Sequence, residues 1–356
     1  MKFDAGVWKH QRACDSINVI WRVMLQPRLW VCNSVEYVAI RSAAAALTAI
    51  DPRAAMALMR LGGRIVHAFD GHRERAAAQI KQCFPEWSDA QVRRTVVRFY
   101  EHLGQLVTEI LFTPRFIHCE PFSRRISYSG IAPALRVLCA GKPTILVTGH
   151  VGNWEVLGLW LTALGFNVAA LARPLENPFL SNWLFGLRER RGQRIITKFD
   201  ATDQMQAALA EGAALSFVAD QDAGAKGVFV PFFGRLASTY KSVALLAMRQ
   251  NVPILCGCAH RVPHAGDIGF VLNLYDVIEP DHWADVHDPL YYITARYMRA
   301  IEEMVRHTPE QYFWTHRRWR SRPQFERNGK SMPASIQQNL ETLPWMTPGL
   351  MQQLRA

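Results

Sequence analysis

One segment of the chain carries the residue types that a proton-transfer reaction needs: Thr148-Gly149-His150-Val151-Gly152-Asn153-Trp154-Glu155. The apolar run Pro143–Thr148 reads as a buried strand, and Trp154–Leu164 as the helix that follows. His150 therefore stands in a strand-to-helix loop, with Gly152 and Asn153 suited to a tight turn. Glu155 falls in the first helical turn, where the helix dipole favours a charged carboxylate. An ionised acid near an imidazole fixes its tautomer and stabilises the imidazolium, which makes His150 a candidate general base at neutral pH. An isolated histidine would by default be a structural one bonded to a loop carbonyl. The glycines and the acid around this one favour chemistry. No GxSxG motif and no activated Ser or Cys lies nearby, so the nucleophile is read as a hydroxyl on the substrate.

The elements that must position this loop begin at about residue 126. Strands are expected at 126–129, 143–148, 167–172, 194–197, 214–219, 253–259 and 270–277. Helices are expected at 132–140, 154–164, 178–191, 202–211, 238–249 and 289–307. This alternation implies an α/β fold whose largely parallel sheet is covered by helices, with sites at the carboxyl ends of its strands. Asp220 ends an apolar strand and is expected at the same edge. Ahead of the sheet, a helical N-terminal section (1–120) is expected near a membrane. Asp51-Pro52 reads as a helix start, with Gly62-Gly63 weakening that helix's middle, and Ser88 caps an amphipathic run over Gln91–Phe112. The α/β domain spans 121–325, and 326–356 reads as a loosely packed tail.

Composition narrows the classes. Hydrophobic residues at 49% of 356 exclude a disordered chain. The net charge of +11, from 41 Lys and Arg against 30 Asp and Glu, favours an anionic partner. Seven scattered cysteines without a CxxC pair suit a reducing cytosol rather than a disulfide framework. No secretory signal is visible. The best candidate for a span, Val35–Ile50, contains Glu36 and Arg41, whereas crossing needs about 20 apolar residues, so it reads as a core helix or an interfacial one, with interfacial contact slightly favoured.

Three further segments join the His150 loop: Arg173-Pro174-Leu175-Glu176-Asn177, Asp220-Gln221-Asp222-Ala223-Gly224-Ala225-Lys226-Gly227 with Pro231-Phe232-Phe233-Gly234, and Pro309-Glu310-Gln311 followed by Trp314-Thr315-His316-Arg317-Arg318. Together and in this order they resemble the glycerolipid acyltransferase superfamily, and the HxGNWE form is similar to its lipid A late acyltransferase branch. That branch comprises the lauroyl and myristoyl transferases of lipopolysaccharide assembly, with the mycobacterial phosphatidylinositol mannoside acyltransferases as relatives.

The resemblance implies a glycerol-3-phosphate acyltransferase-like fold. It also implies transfer of a fatty acyl chain from an acyl thioester to a hydroxyl of a membrane glycolipid, most simply a lipid A-type precursor. His150 would deprotonate that hydroxyl while Glu155 orients it. Backbone N–H groups at Gly152 and Asn153 would be candidates for the oxyanion. Arg173, Asn177, Gln221, Lys226, His316, Arg317 and Arg318 would contact substrate, and Asp220 would shape the site. Each has a plainer alternative: an ion pair of Arg173 with Glu176, a loop-capping Asp220, a solvated Lys226, and a basic stripe at 316–318.

No cofactor and no metal is expected. His260 with His264, and the segment 281–288, have metal-like spacings but read as surface loops. The partners implied are acyl carrier protein or coenzyme A thioester, an anionic glycolipid and the membrane surface, not nucleic acid. The expected place is the cytoplasmic face of the cell inner membrane. The other readings are a phosphatidylinositol mannoside acyltransferase, an ester or thioester hydrolase using the same His, and a non-catalytic basic binding protein.

Overall fold

In the computed structural model, the residues described are 27–117, 125–190, 192–197, 201–264 and 267–355. Trp8, Trp21, Cys14 and Cys119 lie outside them. Four helices open the described chain: α1 (Pro27–Ala49), α2 (Pro52–Phe69), α3 (Arg73–Cys83) and α4 (Asp89–Ile117). Asp51 caps α2 through Oδ1, which accepts from the Arg53 and Ala54 N–H groups, and Pro52 supplies the preset φ of the first turn. Ser88 and Gln91 bond each other reciprocally at the start of α4. α2 runs unbroken through Gly62 and Gly63. A Cβ on Gly63 would stand 2.2 Å from the Tyr100 carbonyl oxygen, so the glycine lets α2 press onto α4.

The α/β part follows in the expected order: β1 (Ile126–Ser129), α5 (Ala132–Cys139), β2 (Thr144–Thr148), α6 (Trp154–Ala163), β3 (Val168–Leu171), α7 (Pro178–Glu189), β4 (Arg194–Ile196), α8 (Ala201–Ala210) and β5 (Ala214–Val218). Next come β6 (Val228–Phe232), β7 (Arg235–Thr239), α9 (Ser242–Gln250), β8 (Ile254–His264), β9 (Asp267–Ile278) and α10 (Pro289–His307). Seven strands form one sheet in the order β1-β9-β8-β2-β5-β3-β4. Every pairing in it is parallel except β8 with β9. Successive residues of β2 point to opposite faces: Ile145 and Val147 enter the larger core, Leu146 the smaller one under α5 and α6.

Three readings need correction. The stretch 238–249 is not all helix, because Ser238 and Thr239 complete a β6–β7 hairpin and α9 begins at Ser242. His260 is not on a surface loop: it is 1% exposed on β8, bonded to Tyr275 and Thr308, and burial holds it neutral down to a pKa of about 3. The C-terminal stretch is not loose either. Short helices α11 (Gln324–Arg327), α12 (Ala334–Glu341) and α13 (Pro348–Arg355) set Leu340, Leu343, Met351 and Leu354 into the main core. Each such burial contributes about 1.5–3 kcal/mol. The same core contains Ile80, Phe84, Val96 and Phe99, so the N-terminal helices and the sheet share one interior.

Candidate active site

Strands β2 and β5 run side by side with Thr144 opposite Ala214 and Thr148 opposite Val218. Two residues beyond this matched end, the chain places His150 beside Asp220. His150 Nδ1 lies 2.7 Å from Asp220 Oδ1, and the His150 backbone N–H also bonds Asp220. Asp220 is 2% exposed and further receives the hydroxyl of the buried Tyr312. Arg318 stands near enough to act on its charge.

Burial works against protonating His150, but the Asp220 carboxylate outweighs it, and the imidazole pKa is raised above the ordinary 6.5. Burial likewise disfavours the Asp220 anion, and the adjacent imidazole outweighs this, holding its pKa below 3.8. With Nδ1 engaged, Nε2 has no hydrogen-bond partner among the described residues. Trp154 meets the ring edge-on at 5.0 Å between centroids and Phe313 lies at 6.0 Å, leaving the side chain 22% exposed. A base oriented by a buried acid and open at its second nitrogen suits proton abstraction from an incoming hydroxyl.

The partner of His150 is therefore Asp220, not Glu155. Glu155 is gripped from two sides by Arg188 of α7, whose Nε reaches Oε2 at 2.8 Å while its Nη2 bonds Oε1. Glu155 acts on His150 through its field alone, which raises the imidazole pKa.

The N–H groups proposed for the oxyanion are also committed elsewhere. Gly152 donates to the Gln311 carbonyl (2.9 Å), and Asn153 donates to the Ala259 carbonyl (2.7 Å). Gly152 has φ of +61°, and a Cβ on it would stand 2.1 Å from Ala259 O, so this turn demands glycine. Asn153 is fully buried. It caps α6 through Oδ1 to the Val156 N–H and donates through Nδ2 to Glu109 Oε2 (2.8 Å). Glu109 is in turn held by Arg261, whose Nη1 reaches His102 and Gln105. This network clamps the His150 loop onto β8 and α4.

The other predicted contacts divide. Asn177 is structural: it caps α7 and ties it to α1 through Asn33 O and Glu36. Arg318 is 1% exposed and bonds Ser238 O (2.6 Å) and Thr239 Oγ1 (2.7 Å), so it is closed to substrate. Arg173 and Lys226 are exposed and have no carboxylate partner among the described residues, and Gln221 is half-buried beside Asp220. His316 lies near the pair, and its Nε2 accepts the Asp222 N–H at 3.0 Å. The ring proton of its neutral form therefore sits on Nδ1, and burial lowers its pKa. Arg317 is exposed on the same loop.

Sequence reasoning missed Arg188, Glu109 and Arg261, distant residues that no local motif marks. Tyr312, between Gln311 and Trp314 in the last of the sequence segments, had no expected role. Among the described residues no His, Cys, Asp and Glu side chains group as a metal site would require.

Sequence comparison adds an independent line. The family model described as bacterial lipid A biosynthesis acyltransferase matches residues 26–321. A lipid A biosynthesis acyltransferase of Haemophilus influenzae is 24% identical over 265 residues, covering 72% of this chain and 78% of its own. A lipid A biosynthesis lauroyltransferase of Escherichia coli is 25% identical, covering 76% and 83%. A palmitoleoyltransferase of the same organism is 24% identical, covering 73% and 83%.

Proposed function

Because the chain belongs to the bacterial lipid A biosynthesis acyltransferase family, we propose that it moves a fatty acyl chain from a thioester donor to a hydroxyl of a lipid A-type precursor, with His150 as the base. The observation that carries this is the His150–Asp220 pair at the carboxyl edge of the sheet, with Nε2 unengaged among the described residues.

His150 Nε2 takes the proton of the acceptor hydroxyl as its oxygen attacks the thioester carbonyl. Asp220 stabilises the imidazolium. The tetrahedral oxyanion collapses, the C–S bond breaks, and the departing thiolate recovers the proton from His150. The ester and a free thiol result, with no redox change. Acyl carrier protein, an acidic partner, and coenzyme A are both suited to a chain of net charge +11.

Action at the cytoplasmic face of the inner membrane by peripheral attachment fits the surface. Leu58, Leu61, Ile65 and Phe69 form a stripe along α2, Phe69 being 86% exposed, and Val35 and Val38 are exposed on α1. No described helix is long and apolar enough to cross a bilayer.

The test incubates purified protein with acyl-acyl carrier protein or acyl-coenzyme A and a lipid A-type precursor. Mass spectrometry should show the precursor gaining one acyl group, while the donor stays intact when no acceptor is present. Rapid release of free fatty acid without acceptor would instead identify a hydrolase.

A further inference from the structure

An open cleft of about 420 Å³ is lined in part by Phe313, whose ring centroid is 6.0 Å from that of His150, and its walls come from three distant parts of the chain. Arg75 contributes from α3, Asp222 from the segment after β5, and His316, Arg317 and Arg320 from the loop after α10. The loop is pinned in place. Gln79 of α3 donates to the carbonyls of Trp314 and His316, and its Oε1 accepts the Arg318 N–H.

The cleft's carboxylates are already satisfied. Asp70 receives the Tyr100 hydroxyl (2.6 Å) and His72, which hold its pKa near 2. Asp222 receives the Ser321 hydroxyl and the N–H groups of Ser321 and Gly224. Among the described residues the three guanidinium groups form no ion pair with a carboxylate. Arg75 makes a single long bond to the Thr315 carbonyl (3.4 Å), and Arg317 and Arg320 have no side-chain partner among the described residues. Three guanidinium forks share the cleft with two carboxylates whose oxygens are already bonded to other donors, and their planar N–H groups fit the oxygens of a phosphate group.

We propose that this cleft is a phosphate subsite, in which Arg75, Arg317 and Arg320 hold a phosphate of one of the two substrates while the reacting groups meet at His150. The proposal rests on the acyl-transfer reading. The phosphate belongs either to the donor, whose pantetheine arm ends in one, or to the acceptor headgroup, and the two sources are separable by experiment.

Arg317→Gln/Arg320→Gln and Arg75→Gln are compared with wild type and with Arg249→Gln, an exposed position on α9. Hydrogen bonds to charged groups contribute about 1.5–3 kcal/mol each, so the double variant should raise the relevant KM at least about tenfold. If the donor phosphate sits here, KM rises for acyl-acyl carrier protein and acyl-coenzyme A but not for acyl-pantetheine, which lacks the phosphate. If the acceptor phosphate sits here, KM rises for the phosphorylated glycolipid but not for its dephosphorylated form. Equal effects on phosphorylated and unphosphorylated substrates, or no effect beyond that of Arg249→Gln, would overturn the proposal. Calorimetry with inorganic pyrophosphate reads the cleft even if the chain transfers no acyl group: heat lost in the double variant and kept in Arg249→Gln supports the subsite, and identical heats in all variants refute it.

Discussion

Two carboxylates stand near His150, and their surroundings differ in one respect that separates architecture from chemistry. Around Glu155 the carboxylate is held: Arg188 grips both of its oxygens, and below it Asn153 and Arg261 both bond Glu109. Around Asp220 the chain of bonds runs from Tyr312 through the carboxylate to Nδ1 of the imidazole, and among the described residues nothing bonds Nε2. Side chains bonded to one another fix shape. A bonding chain that ends at a partly exposed ring nitrogen is where a substrate proton can enter.

The sharpest break of this contrast is His150→Ala. Loss of general-base catalysis should lower kcat by about 10²–10⁴ with little change in melting temperature. An inactive variant that is also unfolded would put His150 on the architectural side. Next in size is Asp220→Asn, which keeps the shape but removes the charge. A comparable substitution in a serine protease triad lowers kcat about 10⁴-fold, and a drop of about 10²-fold or more is expected here. Wild-type levels of turnover in this variant would return the orienting role to Glu155.

Glu155→Gln should act in the opposite proportion. Breaking a buried ion pair by removing one partner costs up to about 3–5 kcal/mol, so thermal unfolding should shift clearly while kcat falls less than in Asp220→Asn. A rate loss exceeding that of Asp220→Asn, at unchanged stability, would reverse the assignment.

The smallest effect is on the pH profile. Only neutral His150 accepts a proton, and its pKa is raised, so kcat/KM should decline as pH falls through a midpoint above 6.5. In Asp220→Asn the raising charge is gone and burial then dominates, so that midpoint should move down. An unmoved acid limb would show that another group sets it.

Much of the sheet was legible because its strands are short apolar runs between helical periods. The β-strand 144–148 and the helix 289–307 lie where the pattern predicts them. The β6–β7 hairpin was not, since Pro231 argues against a strand, and it is tolerated here because β6 and β7 form their own two-stranded ribbon. His150 was legible from its loop. Its partner was misassigned because nearness in sequence favours Glu155, whereas contact follows from β2 and β5 being adjacent in register, and strand order cannot be read from one chain. Arg318 looked like a surface cation for a similar reason: nothing local reveals that Ser238 and Thr239 fold over it.

That enclosed guanidinium carries a lasting implication. During each turnover His150 alternates between neutral and cationic forms, so its pull on Asp220 comes and goes. Arg318, anchored to backbone and hydroxyl oxygens rather than to an acid, keeps a constant positive potential behind the carboxylate. Arg318 thus favours the ionised form of Asp220 with a field that does not depend on the state of the imidazole.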